Sequence, residues 1–125
     1  MPFREPILPL REIAASILRI EEFTTGMDLE SFRNDPRTVA AVERMLSIIS
    51  EAAVRLGDQG PALCPGLPWH DIRGIGNWLR HQYDRVDVET VWNTVTDSLP
   101  ALKTAVRLAL NPQEEQFPRG GAIKV

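Results

Sequence analysis

An all-α fold, an antiparallel bundle of four or five helices with no sheet, is predicted by three features of the sequence. Apolar residues recur at three- and four-residue steps through several long stretches. Asp-Pro, Gly and Pro signals stand where such stretches would begin and end. No run alternates apolar and polar residues as a half-buried strand would. The 125 residues, 43% hydrophobic and 25% charged, suit one domain built on one core.

The first helix is expected over residues 10–24, where Leu10, Ile13, Ile17 and Ile20 make an apolar stripe among Arg11, Glu12, Arg19, Glu21 and Glu22. Gly26 ends it. Residues 28–33 make a turn or two of helix with Leu29 and Phe32 facing inward. Asp35 then supplies an N-cap, and Pro36 takes the first helical position, where its missing N–H costs nothing. The helix they open carries Val39, Val42, Met45, Leu46, Ile49, Ala53 and Leu56 on one face, and Gly57 stands at its C-cap. GDQGPALCPGLP, residues 57–68, is dense in Gly and Pro and reads as a loop. Pro68 opens a third long helix. Asp87 caps a fourth, in which Val88, Val91, Trp92, Val95, Leu99, Leu102 and Val106 are spaced almost as a heptad seam. Pro100 inside it removes a backbone bond and is expected to bend or split the helix, with Ser98 as the new cap. Periodicity is lost from Asn111 onward. The bundle domain is therefore set at residues 1–110, and 111–125 are read as a polar, extended tail.

A net charge of −3 excludes wholesale electrostatic binding of nucleic acid, so any such contact must come from a local basic cluster. The single cysteine, Cys64, cannot form an internal disulfide and falls far short of a metal set; it reads as a small loop residue in a cytoplasmic protein. MPFREPILPL breaks any apolar signal core with prolines and Glu5, and no stretch approaches the length of a membrane span. A soluble, unexported chain is expected.

The third long helix holds the densest chemistry, in IRGIGNWLRHQYDR, residues 72–85. At about 100° per residue, Ile72, Ile75, Leu79 and Tyr83 fall on a core side with Gly76 at its border. Arg73, Asn77, Arg80 and Asp84 form a polar stripe, and His81 lies beside it with Gly74 and Trp78. Two glycines in a helix interior each cost about 1 kcal/mol against alanine, so their lack of bulk suggests close approach by another helix or a polynucleotide. An imidazole can take the proton of a ribose 2′-hydroxyl, and nearby guanidinium groups can stabilise the charge that grows on phosphorus. Asn77, one turn before His81, can orient the ring or a phosphate oxygen, and Tyr83 adds a hydroxyl. The alternative for Arg73, Arg80 and Asp84 is an exposed ion-pair ladder of little energetic worth, and Trp78 and Trp92 read as packing in the core or at a dimer interface.

The run LREIAASILRIEEFTTGMDLESF, then AVERMLSIISEAAVRL, then PWHDIRGIGNWLRHQYDRVDVETVW and SLPALK resembles the HepT-like proteins of the HEPN superfamily, from Leu10 to about Leu110. The resemblance implies a dimerising helical bundle and a metal-independent endoribonuclease toxin, without cofactor, whose site lies in a cleft between two subunits. It also implies a partner, a minimal nucleotidyltransferase antitoxin of the MntA type, which silences the toxin by transferring AMP to a tyrosine. The family motif is Arg, usually Asn, three residues, His, one residue, Tyr. Asn77, His81 and Tyr83 match it, so His81 inherits the catalytic role and Tyr83 that of the modified hydroxyl. Gly76 stands where the motif has arginine, and Arg73 and Arg80 are the nearby replacements. Two rival expectations follow: a degenerate binding module that pairs with a nucleotidyltransferase without cutting RNA, and a purely structural helical dimer built on Trp78 and the seam after Asp87.

Overall fold

The computed structural model describes residues 5–81 and 87–116, with side chains for all of these except 81 and 112–116. Helices follow one another as α1 (Ile7–Phe23), α2 (Leu29–Arg33), α3 (Pro36–Leu56), α4 (Gln59–Leu63), α5 (Trp69–His81), α6 (Val88–Asn93), a π-helical turn (Thr94–Ser98) and α7 (Leu99–Gln116). No strand occurs among the described residues. The all-α bundle is as expected.

Each boundary has a local cause. At α2, Asp28 accepts from the Ser31 N–H at 2.9 Å, while the Ser31 hydroxyl accepts from the Asp28 N–H at 3.0 Å, a reciprocal cap. At α3, Asp35 accepts from the Thr38 N–H at 3.1 Å and the Thr38 hydroxyl at 2.9 Å, with Pro36 in the first turn as expected. Gly57 closes α3 at φ +53°, a conformation that favours glycine. Both cap carboxylates are held below the ordinary aspartate range, chiefly by the Ser31 and Thr38 backbone N–H groups that they accept from. Groups shifted in this direction add stability that is complete above their unfolded pKa and is lost as pH falls through the lowered folded value. Asp35→Asn keeps an acceptor oxygen but has no proton to take up. It is therefore expected to flatten the acid-side fall in the urea midpoint, measured from about pH 5 downward.

The core runs the length of the bundle. Leu10, Ile13, Ile17 and Ile20 of α1 meet Val42, Leu46, Ile49 and Ala53 of α3, and Leu102 and Val106 of α7 complete it. α1 and α3 are antiparallel: Arg55 bonds to Glu12 near one end, while Met45 and Ile48 line a surface groove with Ser16 and Arg19 farther along. Lys103, early in α7, pairs with Glu21, late in α1, at 2.9 Å across the surface between the two helices. Phe32 of α2 is fully buried and packs against Trp92 of α6 with ring centroids 5.0 Å apart and the rings tilted by 40°, which gives Trp92 its packing role.

Three details differ from expectation. Residues 57–68 are not all loop, because α4 occupies Gln59–Leu63. Pro61 falls in its first turn, and buried Gly60 lies flat against the Trp69 ring, where an added methyl would stand 3.0–3.2 Å from ring atoms. The Trp69 Nε1–H donates to the Cys64 carbonyl at 2.9 Å and fastens this corner. Pro100 does not split its helix, and Ser98 is not a cap. The ring of a helical proline strikes the carbonyl four residues back, and the π turn immediately before α7 widens the backbone there, so the helical path continues. Finally, α7 continues through Gln116, past the position where the extended tail was expected to begin, and residues 117–125 lie outside the described residues. Cys64 is buried and its thiol is pushed up by burial, as befits a packed, unreactive sulfur.

Candidate functional site

The site is organised by the way α5 lies on α3. Trp69, Ile72, Gly76 and Leu79 are buried, and Ile75 and Trp78 are half-buried against the core. Gly76 is therefore not at the border of the apolar side, as its helical phase suggested, but inside the helix contact. The reason is Ser50 of α3. Its hydroxyl accepts from the Gly76 N–H at 2.9 Å and donates to the Arg73 carbonyl at 2.8 Å, bridging the two helices at one point. Ser50 is only 3% exposed; its bond to the Gly76 N–H is buried, where an unmet polar group costs most, and its bond to the Arg73 carbonyl is partly buried. A methyl group on Gly76 would stand 3.1 Å from the Ser50 Oγ, which is closer than carbon atoms normally approach it. The partner that comes close to Gly76 is thus a helix of the same chain.

Gly74 is the opposite case. It is exposed, with nothing within 4 Å of where a side chain would begin, so open surface surrounds it. Asn77 and Arg80 are exposed, and Arg73 is half-buried beside the α3 contact. Arg73, Asn77 and Arg80 therefore share one flank of α5, as the spacing predicts. Arg80 does not simply extend into water: its Nη1 lies 3.6 Å from the point where a Gly76 methyl would be, one turn back along the helix. α5 is described as far as the backbone of His81. Its side chain, Tyr83 and Asp84 lie outside the described residues, so their expected roles are not tested by this geometry.

A cleft of about 290 Å³ opens on the other flank of α5, between Leu67, Ile72 and Ile75 on one side and Thr94, Asp97 and Leu99 on the other. None of Arg73, Asn77 and Arg80 lines it. Among the described residues, no three His, Cys, Asp or Glu side chains gather closely enough to hold a metal ion, and no helix is long and apolar enough to cross a membrane. Ser50 is the residue that sequence reasoning missed. The available signal was a hydroxyl on the apolar face of α3, one turn from Leu46 and next to Ile49.

The chain matches the family described as ribonuclease HepT-like over residues 13–109. It is 39% identical over 94 residues to "Probable ribonuclease HepT" of Thermococcus cleftensis, covering 75% of this chain and 86% of that one. It is 32% identical over 116 residues to "Putative RNase MJ0125" of Methanocaldococcus jannaschii, covering 93% of this chain and all of that one. No solved structure matches it.

Proposed function

Because the chain belongs to the ribonuclease HepT-like family, we propose that it is a metal-independent endoribonuclease that acts as the toxin of a toxin–antitoxin pair. Its active site is a cleft between two copies of the chain in the cytoplasm. His81 takes the proton from a ribose 2′-hydroxyl, and the freed oxygen attacks the adjacent phosphorus. The P–O5′ bond breaks as the P–O2′ bond forms, the departing 5′-oxygen receives a proton, and a 2′,3′-cyclic phosphate remains. Asn77 orients the imidazole or a phosphate oxygen, and a guanidinium from Arg73 or Arg80 stabilises the charge on the phosphoryl oxygens. The observation that carries this reading is family membership across most of the chain, joined to the exposure of Asn77 and Arg80 on one flank of the helix that also holds the His81 backbone.

The partner in this reading is a nucleotidyltransferase of the MntA type. It transfers AMP from ATP to the Tyr83 hydroxyl with release of pyrophosphate, and so blocks the cleft. Purified chain free of any partner is expected to cut single-stranded RNA or tRNA in the presence of EDTA and to sediment as a dimer. Incubation with the partner and ATP should add the mass of AMP to the peptide bearing Tyr83 and stop cleavage. Intact RNA in the partner-free EDTA reaction would instead favour the degenerate binding module, the reading that Gly76 at the motif arginine position supports.

A further inference from the structure

A side chain on Gly76 would begin 3.1 Å from the Ser50 hydroxyl oxygen, a tight approach, and 3.6 Å from the Arg80 Nη1, an ordinary contact, so the Arg80 guanidinium lies against the bare backbone at this point. We propose that bare Gly76 is the seat of the Arg80 guanidinium, and that Arg80, not Arg73, is the group that holds the phosphate in the cleavage proposed above.

Three physical points lead there. First, the seat is rigid. Ser50 clamps α5 at the Arg73 carbonyl and the Gly76 N–H, so the backbone beneath the guanidinium is fixed to α3. A positioned donor is worth more in a transition state than a wandering one, because it needs no reorganisation as charge develops. Second, the two arginines differ in reach. Long side chains on a helix lean toward its N-terminus. Arg73 starts eight residues before His81, about 12 Å along the axis, and leans farther away. Arg80 starts beside His81 and leans back to Gly76, where its Nη1 lies 3.6 Å from the point at which a side chain would begin. Third, a guanidinium lying on a backbone stripped of side chain keeps its outer edge open. Arg80 is exposed, so its planar fork is free to take two phosphoryl oxygens at once.

This assignment rests on the ribonuclease reading, and the test separates the two. The full-length chain and its Arg80→Ala, Arg80→Lys and Arg73→Ala variants are assayed for cleavage of a labelled single-stranded RNA in EDTA. Binding of a 2′-O-methyl version that cannot be cut is followed across salt concentrations. Arg107→Ala, an exposed arginine on α7, controls for the change in net charge. Arg80→Ala is expected to lower kcat about a hundredfold and to reduce the salt slope of binding by about one. Arg80→Lys should restore the slope, since the charge is kept, but not the rate, since the fork is lost. That split is one a merely structural arginine would not produce. Wild-type cleavage with Arg80→Ala within about threefold of it, or a lysine that restores the full rate, overturns the Arg80 assignment alone. Wild-type chain that leaves the RNA intact overturns the ribonuclease reading, and this assignment falls with it.

Discussion

His81→Ala is expected to lower EDTA-resistant RNA cleavage by about a thousandfold while leaving the bundle intact. The magnitude follows from the role. A general base positioned at the 2′-hydroxyl contributes roughly 10²–10⁴-fold, and alanine offers no group to replace it. The fold should not respond, because α5 is anchored through Trp69, Ile72, Gly76 and Leu79, all buried. Circular dichroism with a thermal midpoint close to that of wild type, beside an RNA gel run in EDTA, checks both halves at once. Cleavage that persists in the alanine variant would remove the imidazole from the chemistry and with it the proposed mechanism. Residual activity need not vanish entirely, since Arg80 and Asn77 still bind and orient the strand; a loss below about tenfold would contradict a general base.

The fold was largely legible because its signals are local. Asp35-Pro36 names a helix start, Gly57 a helix end, and the Leu10–Ile20 and Val39–Leu56 stripes name the faces that meet; each statement needs only a few neighbouring residues. What escaped depends on contacts between elements distant in sequence. The short helix α4 is fixed by Trp69 lying on Gly60, and nothing within residues 57–68 announces that ring. The π turn before Pro100 is a response to a steric conflict that can be foreseen, but its resolution depends on how the Val91 and Leu102 sides of one long helix must both reach the core. The site shows the same division. Arg73, Asn77 and Arg80 on one flank could be read from their spacing, whereas Gly76 could not be placed by its phase, because its position is decided by a serine 26 residues away on α3. An arginine stripe alone left Arg73 and Arg80 equivalent. The proposed distinction between them comes from the Arg80 guanidinium lying back against Gly76, one turn earlier on the same helix.

Returning the motif arginine by Gly76→Arg is expected to weaken the protein rather than repair it. The first carbon of the new side chain stands 3.1 Å from the Ser50 Oγ, so the hydroxyl must give by a few tenths of an ångström, and at 3.6 Å it is already in contact with the Arg80 Nη1, so the atoms beyond it compete with the resident guanidinium for the same space. A shift of Ser50 strains its buried bond to the Gly76 N–H and its partly buried bond to the Arg73 carbonyl. Overpacking of this kind costs about 1–3 kcal/mol, against which the better helix propensity of arginine returns somewhat less than 1 kcal/mol. A net loss of about 1 kcal/mol is expected, readable as a lower urea midpoint with an unchanged slope. Cleavage should fall as well, because the incoming arginine displaces Arg80 without inheriting its support. The degenerate-module reading predicts the opposite sign, an inactive wild type that gains cleavage when arginine is restored. The cause of the stability loss can be isolated with Ser50→Ala, Gly76→Ala and their double variant. If the clash with the hydroxyl is the origin, the methyl at position 76 becomes tolerable once the hydroxyl is gone, and the double variant is more stable than the sum of the single losses by about 1 kcal/mol. Strict additivity would mean that the two residues do not feel each other, and Gly76 would lose its role as the close contact between α3 and α5.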